Sequence, residues 1–201
     1  QHGDPAGVIL LHANARRFDL IVVGTHARMG VERLRTGSIA EQVTQRAKCP
    51  VLIVPMSEDR RESLASFRHI LCPVDFTRGS EAALGHALQL SMDGSRLTLL
   101  HVSRALDPMS ASRYAYHFSV PEYARRLQQD AWERLQDVVP LEARTTADIR
   151  ARVVSGRPAT EIVRVASEVN ADLIVMGVTS RGVLGRKLIG TTASRVIRTA
   201  G

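Results

Sequence analysis

Displaced by 153 positions, this chain matches itself. The stretch from Gly3 to Lys48 lies on the stretch from Gly156 to Gly201 without a gap, and sixteen of the 46 aligned positions are identical. The shared positions include Gly3 and Gly156, Pro5 and Pro158, Asp19 and Asp172, Gly24 and Gly177, Arg28 and Arg181, Arg33 and Arg186, and Gly37 and Gly190. Chance likeness between two apolar stretches would not hold glycines and arginines in register. The chain therefore reads as a tandem duplication, and one backbone plan must serve both copies.

The period also acts as a ruler. The first copy shows only its last third, closing on "CPVLIVP" at residues 49–55, while the second opens on "FRHILCPVD" and stops before a counterpart of "VLIV". The expected organisation is residues 1–56 as the C-terminal part of a first domain, 57–66 as a linker and 67–201 as a second domain lacking its final strand. The chain is thus expected to be a fragment truncated at both ends, with roughly 85 residues of the first unit absent. The strand "VLIV" of the first unit is expected to have an exposed or improvised partner.

Composition removes several classes. A 201-residue chain that is 44% hydrophobic and 23% charged can bury a globular core. Its apolar runs, such as "DLIVVG" and "DLIVMG", fall far short of the roughly 20 residues that cross a bilayer, so no membrane association is expected. The net charge of +7 is carried by scattered arginines, with Lys48 and Lys187 the only lysines and aromatics at 4%. Without a basic block or aromatic stacking platform, nucleic acid is not expected as a partner. Cys49 and Cys72 have neither metal-ligand nor disulfide spacing; no metal site is expected, and a reducing cytoplasm is.

Periodicity supplies the elements of the second copy. "HILCPVD", "RLTLLHV", "DIRARVVSG" and "DLIVMG" are short, bounded apolar runs that predict buried strands. Between them "GSEAALGHALQLSM", with Ser80 as expected N-cap, "PEYARRLQQDAWERLQDVV" and "PATEIVRVASEVN", with Pro158 in its first turn, predict helices. Residues 105–119 read as a long connection. Trp132 is expected to pack at the edge of its helix's apolar stripe, His101 to be a satisfied core histidine, and both cysteines to be small buried hydrophobes. Strand and helix in alternation predict a parallel sheet covered on both faces, with ligands at the carboxyl ends of the strands.

One loop carries a chemical signal. After "DLIVVG" the chain leaves the sheet at Gly24 and re-enters a helix at Gly37 and Ser38; in the second copy the same places are Gly177, Gly190 and Thr191. Glycine at a strand exit permits backbone torsions and a close ligand approach that a side chain would block. A helix start presents free N–H groups and the positive end of the dipole to an anion, and Ser38, Thr191 and Thr192 add hydroxyls. No Gly-Lys-Ser/Thr P-loop and no GxGxxG fingerprint occurs.

The stretches "GTHARMGVERLRTGSIAEQV", "DLIVMGVTSRGVLGRKLIGTTASRVI", "CPVLIVP" and "HILCPVDFTRGSEAALGHALQL...LTLLHV" together resemble the universal stress protein family in its tandem form. The resemblance implies a five-stranded parallel α/β sheet with helices on both faces, Rossmann-like, in two tandem copies of which the first is incomplete. It implies a cytoplasmic stress-response module and pairing between the two units or in a homodimer. In one branch of the family it implies ATP, with Mg2+, held by a G-x2-G-x9-G-(S/T) loop. Carried onto this sequence, the nucleotide site comprises Pro73, Val74, Asp75, Val102, Met176, Gly177, Thr179, Ser180, Arg181, Gly190, Thr191 and Thr192. A partial loop in the first copy comprises Gly24, Thr25, His26, Arg28, Gly37 and Ser38. The second glycine of G-x2-G is Ala27 in one copy and Ser180 in the other, a departure that favours the alternative of a structural or interaction protein without nucleotide. His26 is replaced by Thr179, and no residue is spaced to activate water, so no catalytic residue is assigned and a slow ATPase is the most the chain is expected to be.

Overall fold

A computed structural model describes residues 4–26, 38–56, 67–91, 94–103, 120–146, 148–181 and 187–200. In chain order its first elements are α1 (Pro5–Arg16), β1 (Ile21–His26), α2 (Ser38–Arg46) and β2 (Val51–Met56). There follow β3 (His69–Pro73), α3 (Arg78–Leu90), β4 (Arg96–Ser103), α4 (Val120–Asp137), the single turn α5 (Ala143–Thr146), β5 (Asp148–Ser155), α6 (Pro158–Glu168) and β6 (Leu173–Ile174). The chain closes with β7 (Thr179–Arg181), β8 (Lys187–Ile189) and α7 (Thr191–Thr199). Two compact units result, residues 1–63 with 178–201 and residues 64–177.

The backbone obeys the 153-residue period. Helix α1 begins at Pro5 and α6 at Pro158; α2 spans 38–46 and α7 spans 191–199, the same nine positions shifted by the period. After each helix of the first pair comes a residue in the left-handed region, Arg17 at φ 53 and its counterpart Asn170 at φ 51. Such a residue turns the chain out of a helix and is most easily glycine or asparagine.

In the larger unit four parallel strands lie in the order β5, β4, β3, β6. The order reverses between β3 and β6, the topology of a doubly wound sheet. Ile70, Cys72 and Val74 of the β3 segment and Leu97 and Leu99 of β4 form one core with Leu84 and Ala87 of α3 and Leu135 of α4. Helix α6 packs against β4 with Ile162, Val165 and Ala166 buried. Ile70, Leu71, Leu97, Leu99 and Leu100 are wholly buried, each contributing about 1.5–3 kcal/mol of burial free energy. Burial pushes the Cys72 thiol up to about 12. Trp132 is 42% exposed beside the buried Ala131 and Leu135.

In the other unit β1 and β2 pair in parallel from Ile21–Val51 to His26–Met56. Their core is Ala6, Leu10 and Ala13 of α1, Ile21, and Val43 of α2, with Cys49 packed against it. Among the described residues β2 pairs with β1 alone.

Three local readings need correction. Ser80 is not the N-cap of α3: Thr77 is, in extended conformation (φ −94, ψ 158), and Ser80 at the third helical position completes a reciprocal capping box. "DLIVMG" forms ladder pairs only at Leu173 and Ile174. The loop after it contains an antiparallel hairpin, β7 on β8, pairing Thr179 with Ile189 and Arg181 with Lys187. Residues 105–119, the long connection, lie outside the described residues.

Candidate nucleotide site at the strand crossover

At the reversal of strand order the pairing of β3 with β6 is limited by the sequence. Val74 N–H donates to Leu100 O at 2.8 Å, so alternation turns the main-chain groups of residue 73 toward β6. Residue 73 is proline and has no N–H to give. On that side the last ladder bond among the described residues runs from Val175 N–H to Leu71 O at 2.9 Å.

Asp75 stands just past the carboxyl end of β3, exposed, at the start of the turn into α3. Its Oδ1 accepts from Thr77 Oγ1 at 2.6 Å and from Thr77 N–H at 3.2 Å, while its own N–H donates to Ser80 Oγ at 3.3 Å. Partial burial works to raise the Asp75 carboxyl, but the hydrogen bonds from Thr77 and Ser80 outweigh it and hold the group below its ordinary value. One carboxylate oxygen is thus engaged by the capping turn.

Phe76, next in the chain, was not singled out by its sequence. It lies at φ 59, a conformation costly for a bulky side chain. Its ring is held between His101, with centroids 4.7 Å apart, and the Arg134 guanidinium 3.9 Å from the ring centroid. His101 in turn donates from Nδ1 to Val74 O at 2.8 Å, which makes it a satisfied strand histidine as expected. The carboxyl ends of β3 and β4 and helix α4 are therefore tied together beside Asp75. Val102 pairs with Val154 near the same end of the sheet.

Gly177 owes its identity to packing. A Cβ there would lie 2.6 Å from Gly79 C and O and 2.9 Å from Ser80 N, so the exit from β6 presses on the first turn of α3. The close approach expected at this glycine was to a ligand; the atoms that crowd it are the backbone of Gly79 and Ser80.

The remaining candidates belong to the other unit. Thr179, Ser180 and Arg181 form β7. Gly190 is the N-cap of α7 at φ −59, and among the described residues no side chain caps the helix and none lies within 4 Å of where a Cβ would stand. Neither torsion nor crowding requires glycine at this position. Thr191 and Thr192 open the helix. In the first copy Gly24, Thr25 and His26 continue β1 and Ser38 begins α2, while Ala27, Arg28 and Gly37 lie outside the described residues. Among the described residues no three histidine, cysteine or acidic side chains gather as metal ligands, and no helix is long and apolar enough to cross a membrane.

Comparison with known proteins agrees with this architecture. The model of the universal stress protein family matches residues 1–55 and 66–201. Universal stress protein MJ0531 of Methanocaldococcus jannaschii is 48% identical over 52 residues, 26% of this chain and 31% of that protein. Universal stress protein G of Shigella flexneri is 32% identical over 136 residues, 67% of this chain and 94% of that protein. The match thus spans under a third of the first relative's length and nearly all of the second's. A crystal structure of a universal stress protein from Archaeoglobus fulgidus superposes with a TM-score of 0.66 at 22% identity, covering 98% of this chain and 62% of that one.

Proposed function

Because this chain belongs to the universal stress protein family, we propose that its second repeat is a cytoplasmic regulatory binding module taking an adenine nucleotide at the carboxyl ends of β3 and β6. The observation that carries the reading is Asp75 just past the carboxyl end of β3, where strand order reverses and open α/β sheets place their ligands. Asp75 is assigned to the ribose or base, with main-chain groups near Val102 and Met176 for the adenine edge. Gly190, Thr191 and Thr192 are assigned to the phosphates on the family resemblance of the glycine loop alone, with Mg2+ accompanying ATP. The corresponding domain reading is residues 1–56 as part of a first universal stress protein domain, 57–66 as linker and 67–201 as the second. Binding without turnover is the assigned activity.

A second reading, an interaction protein of the same fold without nucleotide, is favoured by Ser180 and by the engagement of Asp75 with Thr77. Isothermal titration of the chain with ATP and Mg2+ separates the two. Saturable heat, lost in both Asp75→Ala and Gly190→Val, supports the nucleotide reading; no heat above dilution, or unchanged binding in both variants, supports the other.

A further inference from the structure

Two hydrogen bonds from Thr77 aim the Asp75 carboxyl, and both depend on the residue between them. Thr77 N–H and Oγ1 reach Asp75 Oδ1 because the chain doubles back at Phe76, whose φ of 59 lies in the left-handed region. Turning that residue into the right-handed region rotates the chain by about 120° and carries Thr77 away from the carboxyl. Glycine takes the left-handed conformation freely and phenylalanine only at a cost, so groups outside the turn must hold Phe76 in it.

Two elements remote in sequence supply that hold. From β4, the His101 ring centroid lies 4.7 Å from that of Phe76, and His101 Nδ1 donates to Val74 O at 2.8 Å, which fastens the start of the turn to the neighbouring strand. From α4, the Arg134 guanidinium carbon stands 3.9 Å from the Phe76 ring centroid. Asp130 and Asp137 lie four residues before and three after Arg134, at the spacing of helical ion pairs, yet the guanidinium is placed over the ring in a cation–π contact. Leu135, next in the chain, is wholly buried in the core against which Phe76 packs, so the arm that carries Arg134 has a fixed base.

We propose that Arg134 is a positioning residue for Asp75: through the Phe76 ring it holds the turn that orients the carboxyl for its ligand. This role rests on the reading of Asp75 as the contact to ribose or base, and it adds a link from that contact to α4. The link runs both ways. Because the seat of Arg134 on the ring favours the oriented carboxyl, a nucleotide held by that carboxyl favours the seat, and occupancy of the site is communicated to α4.

The test compares the full chain with Arg134→Met, Arg134→Lys and Phe76→Leu, each shown to be folded by circular dichroism. NMR couplings of residue 76 report its φ, and hydrogen exchange reports the Thr77 amide. In Arg134→Met the couplings are expected to leave left-handed values and Thr77 exchange to quicken at least about tenfold. Arg134→Lys, which keeps a cation for the ring, is expected to restore both. In isothermal titration ATP affinity is expected to fall at least about fivefold in Arg134→Met and in Phe76→Leu, and no further in the double variant, since both act through one contact. Unchanged couplings and Thr77 exchange in Arg134→Met overturn the positioning, as does ATP binding by that variant as tight as by the unsubstituted chain. An unsubstituted chain that binds no ATP overturns the nucleotide reading instead, and the couplings and Thr77 exchange still decide whether Arg134 holds the turn.

Discussion

Gly24 and Gly177 occupy one position of the repeat under opposite constraints. Replacing Gly177 by alanine drives a methyl into Gly79 backbone, and overpacking of this kind costs about 1–3 kcal/mol. The same change at Gly24 meets no atom of the described residues within 4 Å and is expected to shift stability by less than about 0.5 kcal/mol; urea unfolding of the two variants checks the contrast. Arg17 carries a side chain in a left-handed conformation that glycine adopts freely, so Arg17→Gly is expected to gain up to about 1 kcal/mol, read as a higher thermal midpoint. Asp75 has a folded value below its reference of 3.8. Its contribution to stability is therefore present above 3.8 and lost as pH falls through the lower folded value. Asp75→Asn should flatten the fall in unfolding midpoint below about pH 4, as thermal melts across an acid series would show. At this scale Asp75 was singled out through the family resemblance, since an aspartate that opens a turn after a strand is unremarkable by itself. Phe76 was not, since a phenylalanine in sequence carries no sign of a positive φ, nor does Arg134 announce a ring some sixty residues earlier.

Strand β6 and strand β1 have nearly the same sequence and different lengths. "DLIVVG" extends through His26 because β2 supports it along its whole length, whereas "DLIVMG" pairs with β3 at two residues and then meets the missing N–H of Pro73. Strand identity was legible in the apolar pattern; strand length depends on the neighbour, and no window of sequence contains the neighbour. Hairpin β7–β8 was illegible for a related reason, since its three-residue strands are too short for periodicity to register. Helices behaved better, because a cap and a first-turn proline are local. Helices α1 and α6 nonetheless diverge on their outer faces. Glu161 and Arg164 of α6 form an ion pair at 2.8 Å that joins Glu168 and Arg152, while α1 has Val8 and Leu11 at the same places, both exposed. Installing Val8→Glu with Leu11→Arg copies that pair. Solubility limits measured by static light scattering should rise, with a stability change within about 0.5 kcal/mol, since exposed helical pairs are weak.

The molecule as a whole repeats one α/β pattern at the 153-residue period, with unequal completeness of strand pairing among the described residues. Its parallel α/β character followed from alternation of strand and helix, and its family from motifs spread over most of the chain. The division into compact units was less accessible, because residues 178–201 group with the first sixty-three and only tertiary packing decides that. Unequal completeness predicts unequal persistence. Amides of β4, covered on both faces and paired on both edges, are expected to exchange at least about ten times more slowly than those of β1, as hydrogen exchange mass spectrometry would show. The two free cysteines sharpen the point. Cys72 is sealed in the central strand with its thiol pushed up to about 12, whereas Cys49 is only partly covered. An alkylating reagent at neutral pH therefore meets two clocks in one chain, a fast one at Cys49 and one at Cys72 that advances only when the sheet around β3 comes apart.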